Sequence, residues 1–563
     1  MSATTHGDAI PTPRSAVLVV GGGPCGLMLC NELGRRGVAT VLVDEKSGTA
    51  IAPQANATQA RTMEHFRRLG IADEIRQMGL PPDFPTDIAY FTRFAGHELA
   101  RFSLPSAREA QQLVRRTSGS WSAAELPHRV SQKFVEATLR RHAEAHPTVG
   151  LHFGWRLLRF DDRGDHVEAQ LERVTDGRRQ TVHAAYLIGA DGPRSTVRQQ
   201  LGIRYRGDAG LVRDFMGGTM VALHLRAPDF YKTIRHRPAW MNVTFNGERR
   251  AFMAAVDGRG EFAFHTQLRA HERDTTLTDA EARALFHAAV GIELPIEILS
   301  RGTWTAGHCL VAERFGYGRV VLGGDAAHLF TPTGGLGYNT AVEDAVNLGW
   351  KLAALIAGRA APALLDSYEA ERRPLALRNT AYAKGFADSL GHFAPVPEIE
   401  DDSAAGAAAR AAAGAYLAAH GRAEFDIPGI TFGGRYDGSP IIVSDGSAPP
   451  PDRANVYEPS ACPGGRPPHA WLADGRSLYD TFHREWTLLA RSATAPEALG
   501  FAAIAESIGM DLRVVAPLAA DVLDDLYGAP LVLIRPDQVV AWRGAEATEA
   551  PAVVRRAMGV TQA

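Results

Sequence analysis

The stretch Arg319-Val-Val-Leu-Gly-Gly-Asp325-Ala-Ala-His328, continuing through Thr331-Pro-Thr-Gly-Gly-Leu-Gly-Tyr-Asn339 to Trp350-Lys351, decides how this chain folds. An apolar strand, Val320 to Leu322, runs into a Gly323-Gly324-Asp325 turn. A Gly-rich loop follows, then a helix with Ala341, Ala345, Leu348 and Leu352 among its apolar positions. Asp325 therefore stands at the end of a buried strand. The helix that starts among Gly335, Gly337, Tyr338 and Asn339 aims its unpaired amides back at the same place. Such a corner suits a ligand that carries hydroxyls and an anion-forming ring. Corners of this kind are common, so its weight comes from two segments upstream that want the same ligand.

The first is Ala16-Val-Leu-Val-Val20, a buried parallel strand, followed by Gly21-Gly-Gly23-Pro24-Cys25-Gly26, a helix to about Arg36 and a second strand, Val38 to Val43. This is a complete βαβ context for G-x-G-x-x-G. Gly21 permits the tight turn, Gly23 lets the backbone approach a pyrophosphate, and Gly26 lets the helix pack on the sheet. Asp44 lies 23 residues beyond Gly21, close to the spacing that reaches a ribose hydroxyl, with Glu45 as the adjacent alternative. A single Rossmann unit near the N-terminus, served by a distant Gly-Asp turn, favours FAD over NAD. NAD enzymes keep their cofactor site within one contiguous domain. Further on, Gln54 to Gly70 reads as a loop and an amphipathic helix opened by Arg61, either a dinucleotide contact or a solvated surface arginine.

Bulk properties remove several alternatives. With 60 basic against 63 acidic residues and a net charge of −3, the chain does not present a nucleic-acid or anionic-membrane surface. Met1 to Ser15 is polar and no apolar run is long enough to span a membrane. The four cysteines, Cys25, Cys30, Cys309 and Cys462, form no CxxC and no ligand cluster, which fits a reduced, cytoplasmic protein without a metal.

Residues 86–106 alternate like a hairpin around Ala95-Gly96, and 107–126 read as polar loop. An amphipathic helix spans Val130 to Ala145, opening with Ser131-Gln132. Tyr186-Leu-Ile-Gly-Ala-Asp191-Gly-Pro-Arg194-Ser195 is again strand, turn and helix start. Four strand-like runs lie between Thr219 and Leu268, and a helix from Thr278 to Val290 covers them. Alternation puts Trp240 with Asn242, and Phe252 with Ala254, where they could line an aromatic pocket; ordinary sheet core is the competing reading.

With these motifs in view, residues 15–385 resemble the FAD-dependent aromatic hydroxylases of the p-hydroxybenzoate hydroxylase and phenol hydroxylase type. The G-x-G-x-x-G at Gly21 to Gly26, the DG motif around Asp191 and the GD motif at Gly324-Asp325 match in order and spacing. The resemblance implies that Asp325 holds the ribitol chain and that Asp191 serves FAD and NAD(P)H. It places the amides near Gly337, Tyr338 and Asn339 at the flavin ring, and Arg61 and Gln132 on FAD. Pro332 falls beside the substrate; Thr331 departs from a frequent second proline. The implied activity is NADH- or NADPH- and O2-dependent hydroxylation of a phenolic or other electron-rich aromatic substrate through C4a-hydroperoxyflavin. An FAD oxidoreductase that inserts no oxygen and a flavin-binding redox sensor are the competing readings.

The tail completes the expectation. Ala404 to His420 reads as a helix, 436–468 as a linker or long loop, and the remainder as β-α-β-β-α. This looks like the thioredoxin-like domain of the phenol hydroxylase branch, with a cis bond expected at Ala529-Pro530. Lacking a cysteine pair, it cannot exchange dithiols, and support or homodimer formation is its expected role. The expected fold class is α/β. A Rossmann-like FAD-binding domain (1–85, 126–207 and 303–385) interleaves with an antiparallel-sheet substrate domain (86–125 and 208–302). A helix and linker (386–468) lead to a thioredoxin-like domain (469–563).

Overall fold

The computed structural model describes residue 10 and residues 14–211, 213–272 and 277–560. The polar N-terminal stretch lies outside them apart from Ile10, Arg14 and Ser15. Strand Arg14–Val20 is the centre of an eight-stranded sheet, because Val17, Leu18 and Val19 expose no surface and need cover on both sides. It pairs in parallel with Thr40–Asp44 on one side and Arg179–Gly189 on the other. Val320–Leu322 adds in parallel to Arg179–Gly189. The register sets Val20 beside Gly189, and Gly189 beside Leu322. Three turns, those of Gly21, Asp191 and Asp325, therefore leave neighbouring strands at one carboxyl edge, where open α/β sheets bind ligands. Helices Pro24–Gly34 and Leu336–Ile356 pack together over this edge.

The second sheet has seven strands in the order Glu297–Ala306, Gly218–Arg226, Glu261–Gln267, Ala251–Ala255, Met241–Thr244, Ile88–Phe91, Glu98–Phe102. All its pairings are antiparallel except that of Met241–Thr244 with Ile88–Phe91. Cross-strand pairing puts Tyr90, Val243, Phe252 and His265 on one face, and Asn242, Met253 and Phe264 on the other. Helix Asp279–Val290 covers the second face, where Phe286 meets Phe264 edge-on at 5.3 Å. The first face turns towards helix Ala404–Phe425, whose Gly421 lies against Tyr90.

The C-terminal sheet runs Leu512–Val515, Trp486–Ala490, Leu531–Ile534, Val540–Gly544, with the first pair parallel and the others antiparallel. Three details differ from the sequence reading. Helix Ala520–Tyr527 intervenes before the third strand, closed by Gly528 at φ +66°. The Ala529–Pro530 bond is trans. Gly528 makes the reversal instead, and the Pro530 carbonyl accepts the Arg491 N–H at 2.9 Å as the strand begins. Within 107–126, read as loop, Ala107–Leu113 is helical, started by a reciprocal capping box between Ser106 and Glu109. Among the described residues no helix is long and apolar enough to cross a membrane, and no cluster of metal-ligating side chains occurs.

Candidate active site

The three turns converge through glycine. A Cβ on Gly21 (φ +112°) would lie 2.1 Å from the Ala190 carbonyl, and one on Gly26 would lie 2.0 Å from that of Gly21. Gly324 sits so close to Cys25 and Ala341 that a Cβ there would be 3.1 and 3.4 Å from theirs. Burial, with Asp344 and Asp325 nearby, pushes the Cys25 thiol up, so it serves as an apolar spacer. Gly23 is different: nothing lies within 4 Å of the position its Cβ would take. That open cradle adjoins the start of helix Pro24–Gly34, whose first amides, including that of Cys25, have no side-chain cap. This is the geometry that receives a pyrophosphate.

Asp44 rather than Glu45 belongs to this turn. Its carboxylate accepts the Gly22 N–H at 2.7 Å and the Lys46 N–H at 2.7 Å, whereas Glu45 is exposed. Asp191 caps the short helix Thr196–Gln200, accepting from Ser195 Oγ and from the Val197 N–H at 3.1 Å. Burial raises its pKa against those bonds.

Asp325 stands apart from these. Its side chain is exposed and finds no hydrogen-bond donor among the described residues. Even so, the protein crowding that recess raises its pKa, opposed by His328. Beside it, helix Leu336–Ile356 starts from Gly335 in the left-handed region (φ +65°) with no side-chain cap, leaving the amides of Gly337 and Tyr338 free. Asn339 locks that start to the facing loop, accepting the Gln59 N–H at 2.8 Å and donating to the Ala57 carbonyl at 2.9 Å. Pro332 is exposed on the loop, between Thr331, which donates to His308, and Thr333, which donates to Ala383. Nearby, Asn56 Oδ1 and Ser131 Oγ are buried without partners. An unpartnered carboxylate, two uncapped helix starts, an open glycine cradle and orphaned polar atoms on one edge fit FAD.

Two expected site residues point elsewhere. Arg61 is buried, and its guanidinium donates to Glu64 at 2.9 Å and to the Asp537 and Gln538 carbonyls at 3.0 and 2.9 Å. It ties helix Ala60–Arg68 to the C-terminal domain instead of reaching a dinucleotide, because the hairpin turn of that domain offers it acceptors. Asn242 lies on the sheet face turned away from the cleft, donating to Tyr231 Oη at 3.2 Å. Gln132 turns its side-chain amide to Glu136 at 2.6 Å and Gln54 at 3.2 Å, at the rim of the orphaned pair. Trp240 precedes its strand and packs edge-on against Phe425 at 6.2 Å. Phe252 lies on the sheet face opposite Asn242, with Tyr90, Val243 and His265.

The sequence reading missed the neighbour of Phe252. His265 stacks on it at 4.5 Å, and Trp304 Nε1 donates to His265 Nδ1 at 3.2 Å. Burial holds this imidazole down to about 4, so it is neutral, with its proton on Nε2 and no partner there among the described residues. The alternation of Phe252 across to His265 was the available signal.

This combination of a dinucleotide-binding sheet, a Gly-Asp turn and a substrate sheet defines a flavoprotein hydroxylase. Residues 14–383 match the family model described as an FAD binding domain, and 460–560 match the one described as aromatic-ring hydroxylase, C-terminal. The chain belongs to the FAD-dependent aromatic-ring hydroxylases, and it is an FAD-dependent monooxygenase. It is 31% identical to the FAD-dependent monooxygenase apdD of Emericella nidulans over 94% of this chain and 87% of that one. With the phenol 2-monooxygenase of Pseudomonas sp. (strain EST1001) it shares 30% identity over 96% and 92% of the two chains. The solved structure of chromopyrrolic acid-soaked RebC with bound 7-carboxy-K252c superposes with a TM-score of 0.87. The two chains are 33% identical, over 98% of this one and 100% of that one.

Proposed function

We propose that the chain hydroxylates a phenolic or other electron-rich aromatic compound, held between the flavin ring and the sheet face that carries Phe252 and His265, with NADH or NADPH as reductant. FAD supplies the electron transfer and oxygen activation when bound. The first amides of helix Pro24–Gly34 receive the pyrophosphate across Gly23, Asp44 takes the ribose, and Asp325 takes the ribitol hydroxyls. The amides of Gly337 and Tyr338 stabilise negative charge on the reduced ring. Phe252 and Trp304 exclude water, and His265 Nε2–H donates to a substrate oxygen, fixing which carbon is presented.

The observation that carries this reading is the unpartnered carboxylate of Asp325, placed between two uncapped helix starts. A competing reading without oxygen insertion has no support in the relatives, which are named as monooxygenases. The test is NAD(P)H consumption by the yellow holoenzyme across a panel of aromatic compounds, with product masses. Stimulated consumption with a mass gain of one oxygen is expected. A colourless protein that stays so after reconstitution would end the proposal, as would consumption no aromatic compound changes.

A further inference from the structure

Among the described residues every buried arginine but one has an ion-pair or hydrogen-bond partner. Arg76 pairs with Glu125, Arg213 with Asp388, Arg372 with Asp344, Arg466 with Glu64 and Arg535 with Glu371. Arg129 is 5% exposed and forms no hydrogen bond and no ion pair among the described residues. Its only contacts of note are aromatic: the guanidinium lies 4.5 Å from the Trp240 ring centre and 5.8 Å from that of Phe425. A cation–π contact repays only part of what removing a guanidinium from water costs. Nη1 is sealed without a partner, whereas Nε and Nη2, equally unpartnered, are not sealed. Burial lowers the group to about 10, with Glu424 opposing, so it stays cationic at neutral pH.

The place matters as much as the vacancy. Arg129 follows His128, which bridges Thr58 across from the loop that Asn339 clamps. Trp240 brings in the end of the substrate sheet. Phe425 follows Glu424, whose carboxylate accepts the Gly334 N–H at 2.9 Å two residues beyond Pro332. The other Glu424 oxygen lies 2.8 Å from His420 Nε2. Arg129 therefore stands where the flavin loop, the Gly-rich loop and the substrate sheet meet, with two donors not fully sealed and two aromatic rings beside them.

We propose that Arg129 binds an anionic oxygen, carboxylate or phenolate, on the aromatic substrate, beside the packed pair of Trp240 and Phe425. The proposal rests on the hydroxylase reading above and adds the charge of the substrate to it. A guanidinium offers paired donors that match a carboxylate and also serve a single phenolate oxygen.

The test uses the reconstituted holoenzyme and follows the flavin absorbance while it is titrated with three sets of compounds. These are aryl carboxylates, phenols of low pKa, and the neutral methyl ester or methyl ether of each. The expected result is about tenfold or tighter binding of the anions than of their neutral partners. Arg129→Met should abolish that preference at undiminished FAD content, and Arg129→Lys should keep part of it. Preference for carboxylates alone or for phenolates alone identifies the oxygen. Equal binding of charged and neutral compounds by the wild type overturns this proposal and leaves the hydroxylase reading intact. So does a preference that survives in Arg129→Met. Loss of FAD from both variants overturns it too and assigns the arginine to the cofactor. If no aromatic compound perturbs the flavin at all, the hydroxylase reading falls and this proposal with it.

Discussion

The Asp344 carboxylate accepts the backbone N–H of Gly324 at 3.1 Å, tying the helix that faces the flavin site to the turn that carries Asp325. The same carboxylate accepts from His328 Nε2 at 2.6 Å and from Arg372 Nε at 2.8 Å, all fully buried. Burial alone would raise its pKa, but His328 and Arg372 hold it below the usual carboxylate range. Asp344 is thus a permanently charged clamp, and Asp325 is the free carboxylate that the clamp presents.

That division of labour separates two variants. Asp325→Ala removes hydrogen bonds to a ligand and should weaken FAD binding about 10- to 100-fold with little change in the apoprotein's thermal midpoint. Asp344→Ala takes one of two carboxylate partners from buried Arg372, which keeps Glu343 at 3.0 Å, and takes the acceptor from His328; it should lower that midpoint as well as FAD content, with a stability loss of about 3 kcal/mol. Flavin fluorescence titration and apoprotein melting read the two effects separately. An Asp325→Ala protein that binds FAD normally contradicts the ribitol assignment.

The glycines offer a second contrast. Gly23→Ala places a methyl in space that no protein atom fills, so the apoprotein should fold normally while FAD affinity drops about tenfold or more. Gly26→Ala drives a methyl to 2.0 Å from the Gly21 carbonyl and should destabilise the fold itself. Circular dichroism melting of apoprotein, set beside FAD binding, distinguishes them. Equal destabilisation by both changes would mean that the cradle is not a ligand site.

A third prediction concerns the join between domains. Arg535, from the C-terminal hairpin, bonds both oxygens of Glu371 at 2.7 and 2.9 Å, and Lys351 reaches the same carboxylate at 2.6 Å. All three are fully buried. Burial would raise the Glu371 pKa, but Arg535 and Lys351 keep it ionised far below the usual range. Arg535→Met leaves a buried carboxylate short of its bidentate partner and should cost about 3–5 kcal/mol. Chemical denaturation should show the C-terminal domain loosening first, as early exposure of Trp542 or Trp486 fluorescence. An unchanged denaturation curve would show that the domain is held by apolar packing alone.

The sequence made the parallel sheet legible because its strands are continuous apolar runs ended by glycine turns, and the βαβ rule set the first two side by side. It made Asp325 legible because a carboxylate after a buried strand has few structural reasons to be there. What it could not show was which way long side chains reach across hundreds of residues. Arg61 looked like a ligand residue from its place at a helix start, yet its acceptors are carbonyls of the C-terminal hairpin. Asn242 and Phe252 looked like one pocket until strand register put them on opposite faces. Arg129 carried no signal at all, since an arginine without a partner is recognisable only once every possible partner has been placed.

The last prediction follows from four buried imidazoles. Burial holds His265 down to about 4, holds His128 and His469 down to about 3 with Arg76 and Arg466 adding to the effect, and with Arg61 holds His65 well below its usual value. In the unfolded chain each should take a proton near pH 6.5. Between about pH 6.5 and those folded values the unfolded state binds more protons than the folded one, so stability falls as pH falls. Each group contributes up to about 1.4 kcal/mol per pH unit in that window. Glu32 and Glu64, which neighbouring arginines hold at about 2 against the effect of burial, add a further loss only below about pH 4.5. The holoenzyme's thermal midpoint should therefore decline from pH 6.5 to 5, before Glu32 and Glu64 titrate. His265→Phe, which preserves the stacking on Phe252, should flatten that decline by about one quarter at most, its share of the four groups. A midpoint that stays level to pH 5 would mean that these histidines gain protons without unfolding, and that the sheet face behind the substrate is open to water.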